Sequence, residues 1–335
     1  MIPESEERDD HLSGALRLPD WGRPVAVTPS ALAVTVAGIE FQNPVLLAAG
    51  TAAYGRELAR VIDLDALGGL VTKAVSIERR HGARAPRVAE FDGGMINAVG
   101  LANPGVDEVR AEHLPWLAEN LRKAKVLVNV VGNQIEEFAA VVSALDDSPA
   151  ISGYELNVSC PNVRAGGLEF GADPQSLTEV VSRARKATRR PIFVKLSPTL
   201  QDIGRSAQTA ADAGADGISV VNTLPGLLID VETRKPALGF GTGGVSGPGL
   251  LPVGLLATRK VAKAVRLPVI GVGGISAATD IIQYVMAGAS LVAIGTAAMQ
   301  HPKLPEKVVG DLERWCKAKG VTSLSDLRGS LQWEK

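Results

Sequence analysis

Short runs of consecutive apolar residues recur along the chain, at 44–48, 69–74, 126–131, 152–157, 191–196, 217–222, 268–272 and 290–294. Longer stretches separate them, at 134–146, 175–188, 201–213, 251–265 and 277–287, in which apolar residues return at helical spacing. The runs are continuous rather than alternating, which suits strands covered on both faces, as in a parallel sheet. Eight strand–helix units over roughly 250 residues predict an α/β protein of the (β/α)8 TIM-barrel class. A doubly wound open sheet is the alternative arrangement of the same alternation. A hairpin over 32–35 and 38–41, turning around Gly38, precedes the first strand and is expected to close the barrel bottom.

Two connections are too long for simple turns. One runs from Ser76 to Leu114 after the second strand, the other from Leu224 to Leu250 after the sixth. Both are dense in Gly, Pro and Asn. Loops of this length in a compact domain are usually functional or disordered, and in a barrel the loops after strands build the active-site face. Both are expected to fold over that face.

Composition narrows the classes. Of 335 residues, 46% are hydrophobic, enough for one large core, and the formal net charge is -1. The balance speaks against a nucleic-acid binder and against disorder. With two cysteines, Cys160 and Cys316, a disulfide scaffold is not expected, and a reducing cytoplasm fits. No apolar run reaches the ~18 residues of a membrane span. Residues 1–30 read as a polar arm without a signal-peptide pattern, and 31–335 as one barrel domain.

Four groups of residues carry candidate chemistry. The run Gly271-Val-Gly-Gly-Ile-Ser276 ends the seventh strand and leads into a helix, and Gly295-Thr296 ends the eighth. Barrels often hold phosphate on these two loops through backbone N–H groups, and glycine lets the backbone come close; tight turns are the plain reading. Asn157-Val-Ser-Cys-Pro-Asn162 directly follows the fourth strand. A thiol there suits a general base or a nucleophile, whereas a free cysteine is more usually a small buried hydrophobe, the reading that fits Cys316. Lys73 and Lys195 sit at the ends of otherwise apolar strands. Schiff-base chemistry, pairing with an anionic cofactor or substrate, and a side chain reaching solvent remain open for them. Asn129, Asn157 and Asn222-Thr223 also end strands and offer an amide-rich surface for a flat, hydrogen-bonding heterocycle.

Other signals are negative. Gly239-Phe-Gly-Thr-Gly-Gly244 fits a dinucleotide fingerprint in spelling, but it lies inside a long loop and not at a strand-to-helix turn. The four histidines show no ligand spacing, so no metal is expected, and two cysteines are too few for an iron–sulfur cluster in this chain.

Taken together, these motifs resemble the dihydroorotate dehydrogenases over roughly residues 34–330. Asn157–Asn162 is similar to the family's catalytic loop and Met95-Ile-Asn-Ala-Val-Gly-Leu-Ala-Asn-Pro-Gly105 to its substrate loop. Val194-Lys-Leu-Ser-Pro198, Asn222-Thr223, Gly243-Gly-Val-Ser-Gly-Pro248, Gly273-Gly274 and Gly295-Thr296 follow in the family's order.

The resemblance implies an FMN enzyme that oxidises dihydroorotate to orotate in pyrimidine synthesis. It implies Cys160 as the base at C5, and Lys73 touching both flavin and substrate. Asn97, Ala98, Val99, Gly100, Leu101, Asn157, Asn222 and Thr223 would hold the substrate. Ala49, Gly50, Ala74, Asn129, Asn157, Val221 and Gly247 would line the flavin, and Lys195 would lie near its N1/O2 side. Gly273, Gly274, Gly295 and Thr296 would cradle the phosphate. Ala49 departs from relatives, which often carry serine there. The substrate loop is most similar to the NAD-linked branch. That branch implies a partner subunit holding FAD and a 2Fe–2S cluster, around a homodimer core of a heterotetramer. Dihydropyrimidine dehydrogenase-like flavin subunits are the enzyme alternative, although they typically carry histidine where this chain has Asn162. A non-catalytic flavin- or phosphate-binding barrel is the alternative outside enzymes.

Overall fold

The computed structural model of the chain describes residues 30–159, 161–162 and 168–333. All eight apolar runs form strands, each within two residues of its expected ends: β1 Val45–Leu47, β2 Gly69–Val71, β3 Lys125–Val130, β4 Gly153–Asn157, β5 Ile192–Leu196, β6 Gly217–Val220, β7 Val269–Val272 and β8 Leu291–Ile294, apart from β2, which stops earlier. They close into a parallel barrel in which β8 pairs with β1. The open-sheet alternative is thereby excluded.

Successive side chains of a strand point to opposite faces, and the core divides accordingly. Val45, Leu47, Leu70, Val126, Val128, Tyr154, Leu156, Val194, Ile218, Val220, Val292 and Ile294 pack outward against the helices. Leu46, Val71, Leu127, Phe193, Ile270 and Leu291 pack inward as a separate apolar cluster. Val36, Ile39 and Phe41 join that inner cluster from below. They come from an antiparallel hairpin, Val34–Val36 with Ile39–Phe41, whose two turn residues Ala37 and Gly38 both have positive φ. That is the two-residue turn whose twist matches paired strands. The hairpin plugs the N-terminal end, so only the other end is open to a ligand.

Helices fall where the periodicity predicts: Ile135–Leu145, Pro174–Ala187, Ile203–Asp212, Leu251–Ala264 and Ala278–Ala287. Asp173 and Asp202 begin two of them by accepting backbone N–H bonds from Ser176 and Arg205, caps that each stabilise by about 1 kcal/mol. The first unit departs from the pattern. Between β1 and β2 the chain makes only short 3-10 turns, at Leu58–Arg60 and Leu64–Ala66. Gly50 and Gly55 have positive φ there, which a helix does not accommodate. A further helix, Leu304–Lys319, buries Cys316, and a 3-10 turn at Leu324–Leu327 follows it.

The two long connections meet above the open end. Val88–Phe91 and Gly94–Asn97 form a hairpin turned at Asp92-Gly93, while Leu224–Gly226 and Gly243–Ser246 come from the second loop. The four strands make one antiparallel sheet, with Gly244 registered opposite Asn97. The glycine run from Gly239 thus ends in a sheet strand with no strand-to-helix turn, against a dinucleotide fingerprint.

Candidate active site

Inside the barrel, composition changes with height. Above the apolar inner layer, the same strand faces carry Ala48, Lys73, Asn129, Glu155, Lys195, Ser219, Val272 and Ala293, each two residues beyond an inward-facing position. Asn129, Glu155, Lys195 and Ser219 are all at most 6% exposed. Buried polar groups of this kind need partners. The Asn129 amide donates to Glu155 Oε1 at 2.7 Å, and Lys195 Nζ lies 3.8 Å from the same oxygen. The Ser219 hydroxyl, registered beside Lys195, has no hydrogen-bond partner among the described residues. An orphaned polar atom there fits a site built for a polar ligand.

Over this layer lies a cavity of about 530 Å³, within the usual range for small-molecule sites. Asn97, Ala98 and Gly100 line it from the first long loop, Asn222 and Thr223 from the end of β6, and Gly243 and Gly244 from the covering sheet. Ser159, Glu169 and Ser197 complete one wall. The amides are held in place: Asn97 donates to the Gly244 carbonyl and Asn222 donates to the Asn157 side-chain oxygen, both at 3.3 Å. Burial holds the Glu169 carboxyl above the usual carboxylate range, while a hydrogen bond from Ser197 pulls it back. Leu168–Glu169 pairs with Pro161–Asn162, which sets Glu169 opposite the residue that follows Cys160.

The structure therefore brings Asn97, Ala98, Gly100, Asn222 and Thr223 together, with Asn157 bonded behind them. Lys73, Val99 and Leu101 are outside the cavity lining; Lys73 follows β2, two residues beyond the inward-packed Val71. Cys160 lies outside the described residues. Its neighbour Ser159 reaches the cavity with a buried hydroxyl that has no hydrogen-bond partner among the described residues.

The glycine loops gather at the ends of the last two strands. Gly273 and Gly274 have φ of +125° and +72°. A Cβ on Gly274 would come within 2.4 Å of the Leu251 backbone nitrogen. Glycine is therefore required there by both conformation and space. Asp280 accepts from the N–H groups of Ser276 and Ala277, so the following helix start is already capped. None of the turn and loop hydrogen bonds of the described residues uses the N–H of Gly274 or Gly295. Thr296 is tied to Ser246 by a 2.8 Å hydroxyl bond, which joins the β8 loop to the end of the strand just before Gly247. Ala49, Gly50 and Ala74 follow the ends of β1 and β2, and Val221 follows β6 and donates to the Val272 carbonyl. All the residues expected around a flavin thus lie at one end of the barrel.

A family model described as dihydroorotate dehydrogenase matches residues 31–315. The chain belongs to the dihydroorotate dehydrogenase family. It is accordingly an oxidoreductase, on a barrel consistent with that family. A protein of Pelobacter propionicus named dihydroorotate dehydrogenase B (NAD(+)), catalytic subunit, is 45% identical, with 90% of this chain and 98% of the relative covered. A Geotalea uraniireducens protein with the same name is 43% identical over the same shares. A Solibacter usitatus protein, named provisionally as dihydroorotate dehydrogenase A (fumarate), is 46% identical, covering 92% of this chain and all of the relative.

Several residues of this dehydrogenase's site escape a reading of the sequence. Glu155 is a charge inside an apolar run, the same signal that singles out Lys73 and Lys195, and its spacing from Asn157 puts both on one face. Ser219 and Ser197 look like ordinary strand and turn residues. Glu169 gives no local cue, because its place depends on the loop folding back beside Pro161.

Proposed function

We propose that this chain is the FMN-carrying catalytic subunit that oxidises (S)-dihydroorotate to orotate. The observation that carries the reading is the cavity lined by Asn97 and Asn222 at the open end of the barrel, into whose wall β5 leads with Ser197, two residues beyond the buried Lys195 of the Lys–Glu–Asn row. A flat, doubly amidic, anionic ring matches those walls. In this reading Asn97 to Leu101, Asn157, Asn222 and Thr223 pair with the carboxylate and the pyrimidine edges. Lys73 reaches substrate and flavin together. Ala49, Gly50, Ala74, Asn129, Val221 and Gly247 line the ring system, Lys195 sits toward its N1/O2 side, and Gly273, Gly274, Gly295 and Thr296 hold the phosphate.

Cys160 removes the proton from C5 of the substrate. A flavin held by these residues would supply the acceptor for the hydride that leaves C6. The covering sheet keeps water off the reacting carbons, and the two strand-tied asparagines, Asn97 and Asn222, fix the ring in one orientation. General-base help of this kind contributes typically 10²–10⁴-fold. The direct test is anaerobic mixing of the purified yellow protein with dihydroorotate or dihydrouracil. Bleaching of the flavin by dihydroorotate alone is expected. Bleaching by dihydrouracil alone would move the chain to the pyrimidine-base reductases, and a colourless protein would overturn the reading.

The electron acceptor is read from the relatives. Two of them are named catalytic subunits of NAD-linked enzymes. We therefore expect a partner subunit carrying FAD and a 2Fe–2S cluster, and a cytoplasmic assembly built on a dimer of this chain. The chain alone, mixed with dihydroorotate and NAD, should form no NADH at a useful rate. The relative named for fumarate supports a second reading. Sustained turnover of the isolated chain with fumarate would establish it.

A further inference from the structure

Glu155 is the charged residue of the polar layer to which neither the sequence motifs nor the proposed reaction gives a task. Its side chain is 2% exposed, and that of Lys195 is 8% exposed. Asn129 and Lys195 both reach the same carboxylate oxygen, Oε1, at 2.7 Å and 3.8 Å. Asn129 is itself anchored, because its N–H donates to the Thr72 hydroxyl at 3.2 Å. The three side chains come from three adjacent strands, β3, β4 and β5, and form a fixed row across the barrel.

Stability does not call for this row. A buried ion pair is often replaced by apolar residues of similar volume with no loss, and the barrel's lower inner layer is filled in just that way by Leu127, Phe193 and Ile270. A charge pair retained in the upper layer, beside a Ser219 hydroxyl with no partner among the described residues, points to what lies above it. In so buried a setting a single charge acts on its neighbours with little screening.

We propose that Glu155 is a positioning residue for Lys195: its carboxylate pins the ammonium at the flavin site and offsets its charge, so that the pair, and not the lysine alone, sets the reduction potential of the bound flavin. The inference rests on the reading of this end of the barrel as the flavin site. A positive charge favours the added electrons and a negative charge opposes them. Taking away either partner therefore moves the potential, in opposite directions.

The test is the midpoint potential of the flavin in the purified holoprotein, measured by equilibration with an indicator dye. Glu155→Gln keeps the shape of the side chain and its bond to Asn129 while removing the charge. It should raise the potential by at least a tenfold change in the two-electron equilibrium, about 30 mV. Lys195→Met should lower it, and the double variant should return toward the wild-type value. A purely structural role would loosen flavin binding without these opposite signs. An unchanged or lowered potential in Glu155→Gln overturns the proposal. Should Glu155→Gln retain no flavin, the sign is read from Lys195→Met and the double variant, and a double variant that stays at the Lys195→Met value overturns it. A wild-type protein without flavin would instead overturn the site reading beneath it.

Discussion

Replacing Gly274 by alanine tests the phosphate cradle by geometry alone. Its φ of +72° costs an alanine about 1–2 kcal/mol of backbone strain. The added methyl would also stand 2.4 Å from the backbone nitrogen of Leu251 and 2.7 Å from its Cα and Cβ. That is about 1 Å inside ordinary contact, and the obstacle is backbone at the first turn of the helix Leu251–Ala264, which cannot rotate away. Forcing such an overlap into packed structure costs roughly 1–3 kcal/mol more. The total is about 2–5 kcal/mol, with the loop displaced from the cofactor. Gly320 supplies the control, since its φ is +65° but an added Cβ meets nothing within 4 Å. Gly320→Ala should therefore show only the strain. Urea unfolding of both variants, read with flavin content after gel filtration, separates the two contributions. Gly274→Ala should unfold at clearly lower urea and lose flavin, while Gly320→Ala keeps it. Equal shifts and full flavin in both would refute the argument.

Cys160→Ser should slow flavin reduction by dihydroorotate by about 100-fold or more in stopped flow while flavin stays bound, because a hydroxyl is a far poorer base. Asn97→Ala leaves a substrate polar group unpaired and should weaken orotate binding by ~1–3 kcal/mol, with flavin content unchanged; equal affinities by titration would remove Asn97 from the substrate site. Glu169 is held above the usual carboxylate range by burial, so the folded chain keeps its proton longer than the unfolded chain does. The native state then binds more protons than the unfolded one, and this group's contribution to stability is lost as pH rises from the ordinary glutamate range through the raised value. Glu169→Gln should flatten that part of the urea-midpoint profile between acidic and neutral pH, and an unaltered profile would show that the carboxyl is not the group responsible.

Much of this protein is legible from its sequence because its determinants are local. Strands covered on both faces must be continuously apolar, so the eight runs mark β1–β8 closely, and the helical spacing marks the helices between them. The turn at Ala37-Gly38 announces the hairpin that plugs the barrel. Lysines and asparagines at strand ends stand out against apolar neighbours, and the motif order around Cys160 and Asn97 carries the family. The chain between β1 and β2 defied the pattern because glycines at positive φ interrupt it, a property of backbone conformation and not of hydropathy. What tertiary structure decided are the meetings between segments far apart in the chain. The hairpin at Asp92-Gly93 has its own turn signal, but nothing local registers Asn97 against Gly244 or sets Glu169 opposite Pro161. Nor does a lone glutamate in an apolar strand declare its partners: Glu155 acquires Asn129 and Lys195 only when the barrel closes and brings three strands side by side, because a buried charge is defined by what surrounds it in space.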